Sequence, residues 1–357
     1  MEETTNDTKR NSNIELLRII SMILIIAYHY GIHGFESVEM TTLSFNKYFV
    51  DILSLVGKIG VCCFVLISGY YMINSKFTIK KLWKLIGEVI FYSWTILILF
   101  LTILPANDAL NETNVIKYMF PISQQGYWFI TCYIVLMLLS PYLNKFIFHL
   151  EKKELINLIF LMTFLWSLCS TFLNADLAYS RIGYFVLLYC IGAYIKLYVK
   201  FDDKCKKINK VILFISIFLL ILSSILLNYY GYLSDSTYFA NENSFLVLII
   251  AVSMFLYFVH KKEYSNSVIN NIAKCTLGVY LIHDNEILRE YIWVDLLRNP
   301  EFYYSDFLVI HAICSIIYIY ILCTIIDLIR ILLLEPLWLK LYDCLRNNVK
   351  IKLNQNL

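Results

Sequence analysis

Ten apolar runs, each near the length of a bilayer-spanning helix, dominate this chain. They cover residues 14–34, 48–73, 85–104, 127–148, 155–173, 181–198, 211–230, 244–260, 268–288 and 308–334. A helix crosses a bilayer with about 20 mostly apolar residues. The expected fold is therefore an all-α integral membrane protein, a bundle of about ten transmembrane helices. Composition agrees: 59% of the 357 residues are hydrophobic and 16% charged, against about 45–50% and about 25% in an average soluble domain. The segment 268–288 is the most polar of the ten, with Asn270, Asn271, Lys274, His283 and Asp284. The segment 331–345 reads as an interfacial helix continuing from the last span. The first apolar run is too long for a signal-peptide core and no small-residue cleavage site closes it, so it is expected to stay as the first membrane helix.

Lysine and arginine test this count, because cytoplasmic loops are rich in them. If the N-terminus is cytoplasmic, 23 of the 30 fall on the cytoplasmic side and five on the other, with Arg18 and Lys58 inside spans. The rich stretches include Lys76, Lys80, Lys81 and Lys84 in loop 74–84, and six lysines in 196–210. A miscounted span would scramble the alternation. Both termini are thus expected in the cytoplasm. The expected organisation is a tail at 1–13, a ten-helix domain at 14–334 and a C-terminal tail at 335–357. The outer loops are short; 105–126 and 289–307 have room for small helices.

Several classes drop out. The lysines flank apolar segments and form no separate basic domain, so no nucleic-acid partner is expected. None of the ten cysteines forms a CxxC pair and eight lie within apolar runs, where cysteine behaves as a small hydrophobe. No disulfide framework and no metal site is expected.

The chemistry concentrates in the first span. A charge inside a membrane helix costs at least about 2.5–3.5 kcal/mol on insertion scales, and such residues usually face the bundle interior and serve function. Glu15, Arg18, His29 and His33 fall on one stripe at 3.6 residues per turn. By the helical rise Arg18 and His29 stand roughly 16 Å apart along the axis, the arginine near the cytoplasmic face and the histidine nearer the outer half. The bland alternative is a Glu15–Arg18 pair at the membrane edge, a snorkelling arginine and a histidine bonded to a neighbouring helix.

Glu15-x-x-Arg18, followed ten residues later by His29, resembles the first-helix signature of the acyltransferase-3 family of multi-spanning bacterial membrane acyltransferases, many of which O-acetylate surface polysaccharides. Phe64-Val-Leu-Ile-Ser68-Gly69-Tyr70 is similar to the family's second-helix Ser-Gly-aromatic motif. Tyr127-Trp128-Phe129-Ile with Tyr133 and Ser140-Pro141 resembles its segment at the start of span four. Leu277-Gly-Val-Tyr280-Leu-Ile-His283 resembles its late Tyr-Leu-x-His element. The matches keep family order from residue 13 to about 285. Glu15 departs from the family's more frequent aspartate and keeps the charge.

The resemblance implies a ten-helix core, a catalytic role for His29, and a role for Arg18 toward the acyl donor or the pore, with Glu15 beside it. The donor would be acetyl-CoA or another acyl-CoA entering from the cytoplasm, with no bound cofactor. The acceptor would be a polysaccharide or lipid-linked glycan, and the location the plasma membrane. The chemistry suits the residues: histidine can take a hydroxyl proton near neutral pH and guanidinium pairs well with phosphate. Ser68, Tyr70, Trp128, Tyr133 and His283 are the candidate substrate-binding residues. Each has a plainer reading: close helix approach for Ser68 and Gly69, an aromatic belt for Tyr127 and Trp128, interhelical hydrogen bonding for His283-Asp284. Lys58 and Asp51, seven residues apart, can pair within span two, and Asp327 with Arg330. The rival function is a transporter or flippase, because intramembrane charges also mark transport paths.

Overall fold

The computed structural model describes residues 10–103, 111–175, 177–200 and 202–355, with side chains to Asn348. Lys9 and the first part of the expected loop 105–126 lie outside the described residues. The fold is all-helical, and the described residues form no strand. In chain order the helices are α1 (Ser12–His33), α2 (Phe45–Ser54), α3 (Gly57–Met72), α4 (Ile79–Thr102), α5 (Glu112–Met119), α6 (Trp128–His149), α7 (Lys152–Thr163), α8 (Cys169–Leu173), α9 (Arg181–Tyr198), α10 (Asp203–Tyr229), α11 (Phe245–Val259), α12 (Ser267–Lys274), α13 (Thr276–His283), α14 (Glu286–Glu290), α15 (Asn299–Phe302), α16 (Leu308–Leu333) and α17 (Glu335–Gln355). Local chemistry sets several starts. Asn11, Ser180 and Asp202 cap α1, α9 and α10 with their side chains, each satisfying a first-turn N–H. The Asp202 cap starts α10 eight residues before the expected 211.

Eight segments are long and apolar enough to cross a membrane: α1, α2–α3, α4, α6, α7–α8, α9, α10 and α16. The two remaining expected spans are interrupted. α11 has 15 residues and joins two short 3₁₀ turns within Leu233–Ala240 at a 44° bend. The segment 268–288 divides at Cys275 into two eight-residue helices, α12 and α13. Both nevertheless run from one end of the bundle to the other. The start of α12 meets the start of α1, where Ser12 Oγ lies 2.8 Å from Asn270 Oδ1, and the end of α13 meets α1 at His29. Glu242, just before α11, pairs with Arg181 at 3.1 Å, while Lys262, just after it, accepts a hydrogen bond from Asn13 at 2.9 Å.

The lysine-rich loops gather at one end. There Asn144 Nδ2 donates to the Met72 carbonyl at 2.8 Å, Trp83 and Trp338 stack at 4.9 Å, and Lys80 meets Asp343 at 3.1 Å. The opposite end ties Asn46 to the Tyr303 carbonyl at 2.6 Å and Lys117 to Glu286 at 2.7 Å. The lysine-rich loops and the loops between them thus lie at opposite ends of the bundle.

α1 occupies the centre, touching α2, α3, α11, α12, α13 and α16. One apolar cluster, with Met22, Ile25 and Ile26, joins it to α4, α13 and α16. A second, with Ile14 and Leu17, joins it to α3, α9 and α11. Two glycines let α3 close on α1. A Cβ on Gly60 would fall 2.4 Å from the Ser21 carbonyl oxygen, and one on Gly57 would fall 2.4 Å from Tyr28. Small residues serve such backbone approaches in membranes, where packing replaces the hydrophobic drive. α16 shows the outer face: Ile310, Ile313, Ile317, Ile321, Ile325 and Ile329 are exposed at helical spacing, while Asp327 and Arg330 are buried. Its apolar stripe faces outward and its charges inward.

Candidate functional site

A cavity of about 590 Å³ begins at the lysine-rich end between Lys76, Lys81, Lys84 and Arg18. It passes Ser68, Tyr71, Tyr133 and Ser140, and reaches His29, Lys58, Trp128, Tyr280 and Asp284. A second cavity, about 450 Å³, opens at the other end between Lys117, Gln124, Gln125, Arg181, Glu286 and Arg289; it shares Trp128, Tyr280 and Asp284 with the first. The two chambers therefore meet beside His29.

His29 is buried, 7% exposed. Its Nδ1 lies 3.0 Å from Nε2 of His283, and Nδ1 of His283 lies 2.6 Å from the Val279 carbonyl oxygen. A carbonyl only accepts, so His283 Nδ1 carries the hydrogen. The neutral His283 ring then presents a lone pair at Nε2, His29 donates to it from Nδ1, and His29 Nε2 is left with its lone pair. That atom lies 3.4 Å from Asp284 Oδ1. A proton taken up at Nε2 is met by a carboxylate. Asp284 is itself held by Arg289, whose Nη2 donates to Oδ1 at 2.7 Å and to the Asp284 carbonyl at 3.3 Å.

α5 and the loop before α6 fix this end of α13. Tyr127 Oη donates to the Leu281 carbonyl at 2.9 Å and accepts from Asn285 Nδ2 at 2.7 Å. Tyr118 Oη accepts from the Glu286 N–H at 2.9 Å and donates to the Gly126 carbonyl at 3.3 Å. Burial pushes the Tyr118 phenol up from its ordinary pKa, so it stays protonated as this pairing requires. In α6, Pro141 removes the N–H that would bond the Met137 carbonyl. Ser140 Oγ donates to that same carbonyl at 2.8 Å, which explains the Ser-Pro pairing.

The residues singled out by sequence divide. Arg18, His29, Ser68, Trp128 and Tyr133 line the first cavity, and His283, fully buried, stands behind His29. Ser68 Oγ donates to the Phe64 carbonyl at 2.8 Å and lies 3.4 Å from Tyr133 Oη. Glu15 stands outside the cavity lining, 3.8 Å from Arg18 Nε and 3.9 Å from Arg10. Tyr70 is not brought to the cavity. It turns toward α11, edge-on to Phe255, with the Lys196 ammonium 4.5 Å from its ring; Tyr71 takes the cavity position. His33 pairs with Glu36 at 2.7 Å.

The Lys58–Asp51 pair is corrected. Asp51 binds Lys47 at 2.7 Å and Asn228 at 2.7 Å, one turn away and from α10. Lys58 points instead into the cavity, 5.2 Å from the ring centres of Tyr28 and Trp128. The Asp327–Arg330 pair forms at 2.6 Å and is larger than expected: Arg330 also meets Glu88 at 3.0 Å, and Tyr92 donates to Asp327 at 2.7 Å.

Sequence reading undervalued Arg289 and Lys58. Arg289 sits beyond the last motif of the resemblance, and helical spacing alone offers Lys58 a partner in Asp51. His29, His33 and Asp284 bring potential metal-ligand atoms within 4.8 Å of one another. Two of these groups also belong to a hydrogen-bonded relay, His29 Nδ1 to His283 and Asp284 Oδ1 to Arg289, while His29 Nε2 keeps its lone pair.

Apolar helices packed around two adjoining cavities, with charged residues at their mouths, define a multi-pass membrane protein. A family model described as an acyltransferase domain matches residues 11–334. The chain belongs to that family, the acyltransferase-3 family, and is a membrane acyltransferase. No curated protein and no solved structure matches it.

Proposed function

We propose that this protein moves an acetyl or other short acyl group from acyl-CoA, entering from the cytoplasm, to a hydroxyl of a cell-envelope or secreted polysaccharide or its lipid-linked precursor. One observation carries the reading: His29 stands where a cavity floored by Arg18 and three lysines meets a second cavity opening at the opposite end. The cationic mouth suits the phosphates of coenzyme A, and the tryptophan and amides of the far cavity suit a sugar. On this reading the chain crosses a bacterial plasma membrane ten times with both termini inside, as the lysine and arginine bias favours.

In the proposed reaction His29 Nε2 takes the proton of the acceptor hydroxyl as its oxygen attacks the thioester carbonyl. His283 holds the tautomer. Asp284 pairs with the imidazolium as it forms. Arg18 holds donor phosphate near the entrance, with Glu15 orienting it. Ser68, Trp128 and Tyr133 contact the substrates.

The test is proton NMR of envelope polysaccharide from cells expressing wild type or His29→Ala at equal membrane levels. O-acyl signals present with wild type and absent with the variant support the reading, and the signal names the acyl group. Identical glycans from the two strains overturn it and favour the transporter or flippase alternative.

A further inference from the structure

Lys58 is a charge that the fold does not explain. It is half-buried in a membrane-spanning segment, where a lone cation is costly. It lies in the first turn of α3, where the helix dipole disfavours positive charge. Asp51, the acidic residue on its own span, is committed to Lys47 and Asn228, and no carboxylate of the described residues lies within ion-pair distance of Lys58. Its ammonium rests between two rings, 5.2 Å from the centres of Tyr28 and Trp128. Such rings hold a cation without neutralising it.

The placement is also specific. Tyr28 adjoins His29 in α1, its ring 5.3 Å from the imidazole, and it reaches Lys58 because Gly57 has no side chain to keep it away. Trp128 lies at the junction of the two cavities. The ammonium and the imidazole thus line the same cavity, each beside the Tyr28 ring. The start of α3 carries no side-chain cap, so its N–H groups add positive potential at the same place.

We infer that Lys58 is a catalytic residue that binds the oxyanion formed when the acyl thioester is attacked, an inference that rests on the acyltransferase reading above. The acceptor oxygen bonds to the carbonyl carbon, the hydroxyl proton passes to His29 Nε2, and the carbonyl π pair moves onto oxygen opposite Lys58. Collapse reforms the carbonyl and breaks the C–S bond. The thiolate leaves with the proton from His29, so Lys58 keeps its own proton throughout. A preorganised donor aimed at charge present only in the transition state raises kcat rather than tightening substrate binding.

The experiment follows transfer of label from radiolabelled acetyl-CoA to the glycan fraction in inverted membrane vesicles from expressing cells, as a function of acetyl-CoA concentration. Lys58→Met keeps the length of the side chain and removes the charge; it is expected to lower kcat by about 100-fold or more, with KM for acetyl-CoA within a few-fold. Lys58→Arg is expected to recover part of kcat. Size-exclusion profiles in detergent verify folding, and Lys58→Gln replaces the methionine variant if that one does not accumulate. Wild-type kcat in the neutral variants, or a raised KM with kcat unchanged, overturns the inference while leaving the enzyme reading intact. No transfer by wild type overturns both.

Discussion

At the residue scale, the site is a chain of hydrogen bonds with one direction. The Val279 carbonyl orients His283, and His283 orients His29. Removing the end of the chain is expected to cost most: His29→Ala should lower acyl transfer by roughly 10²–10⁴-fold, the range for positioned acid–base groups, measured in inverted vesicles. His283→Phe keeps ring bulk and removes the acceptor at Nε2. It should lower kcat at least roughly tenfold with the protein still folded; unchanged kcat would show that the tautomer is set by something else. Asp284→Asn should also lower kcat, because the amide leaves the imidazolium without a counter-charge while keeping a partner near Arg289. Arg18 and His29 were visible in the sequence because a charge in an apolar run is conspicuous and their spacing aligns them. Tyr70 and Tyr71 could not be told apart that way. Adjacent positions on a helix differ by about 100°, and which one faces inward depends on α3 packing against α9 and α11.

At the element scale, α1 is the axis of the molecule, and the glycines on α3 set how closely the two can approach. Gly60→Ala is expected to lower the stability of the folded protein by about 1–3 kcal/mol, the usual cost of overpacking. The melting temperature in detergent checks this; an unchanged value would mean that α3 can move away from Ser21 freely. The long helices were legible because length and hydropathy identify a span directly. The break at Cys275 was not. Asn270, Asn271 and Lys274 made 268–288 look weak, but the division depends on tertiary partners: α12 is anchored to Ser12, while α13 is anchored through His283 and Leu281. The early start of α10 has a local signal in Asp202, but the first two turns are polar, and hydropathy alone begins the run at 211.

At the scale of the whole molecule, the alternation of charge reappears as two chemically different ends. Cys205 and Cys344, both exposed, lie at the end that carries most of the lysines. Kept as single cysteines, each should react with a membrane-impermeant maleimide in inverted vesicles and not in intact cells; the reverse pattern would invert the proposed orientation. The all-helical, multi-pass architecture was readable from hydropathy. The junction of the chambers was not, because it is built from α1, α3, α6 and α13, segments far apart in the chain.

That junction has an electrical consequence. Two cavities that begin at opposite ends of the bundle share Trp128, Tyr280 and Asp284, so only a few side chains separate them. On the membrane reading, those side chains are the barrier to ions between the two cavities. Wild-type protein in a planar bilayer should carry no ohmic current, whereas Trp128→Ala should leak small ions.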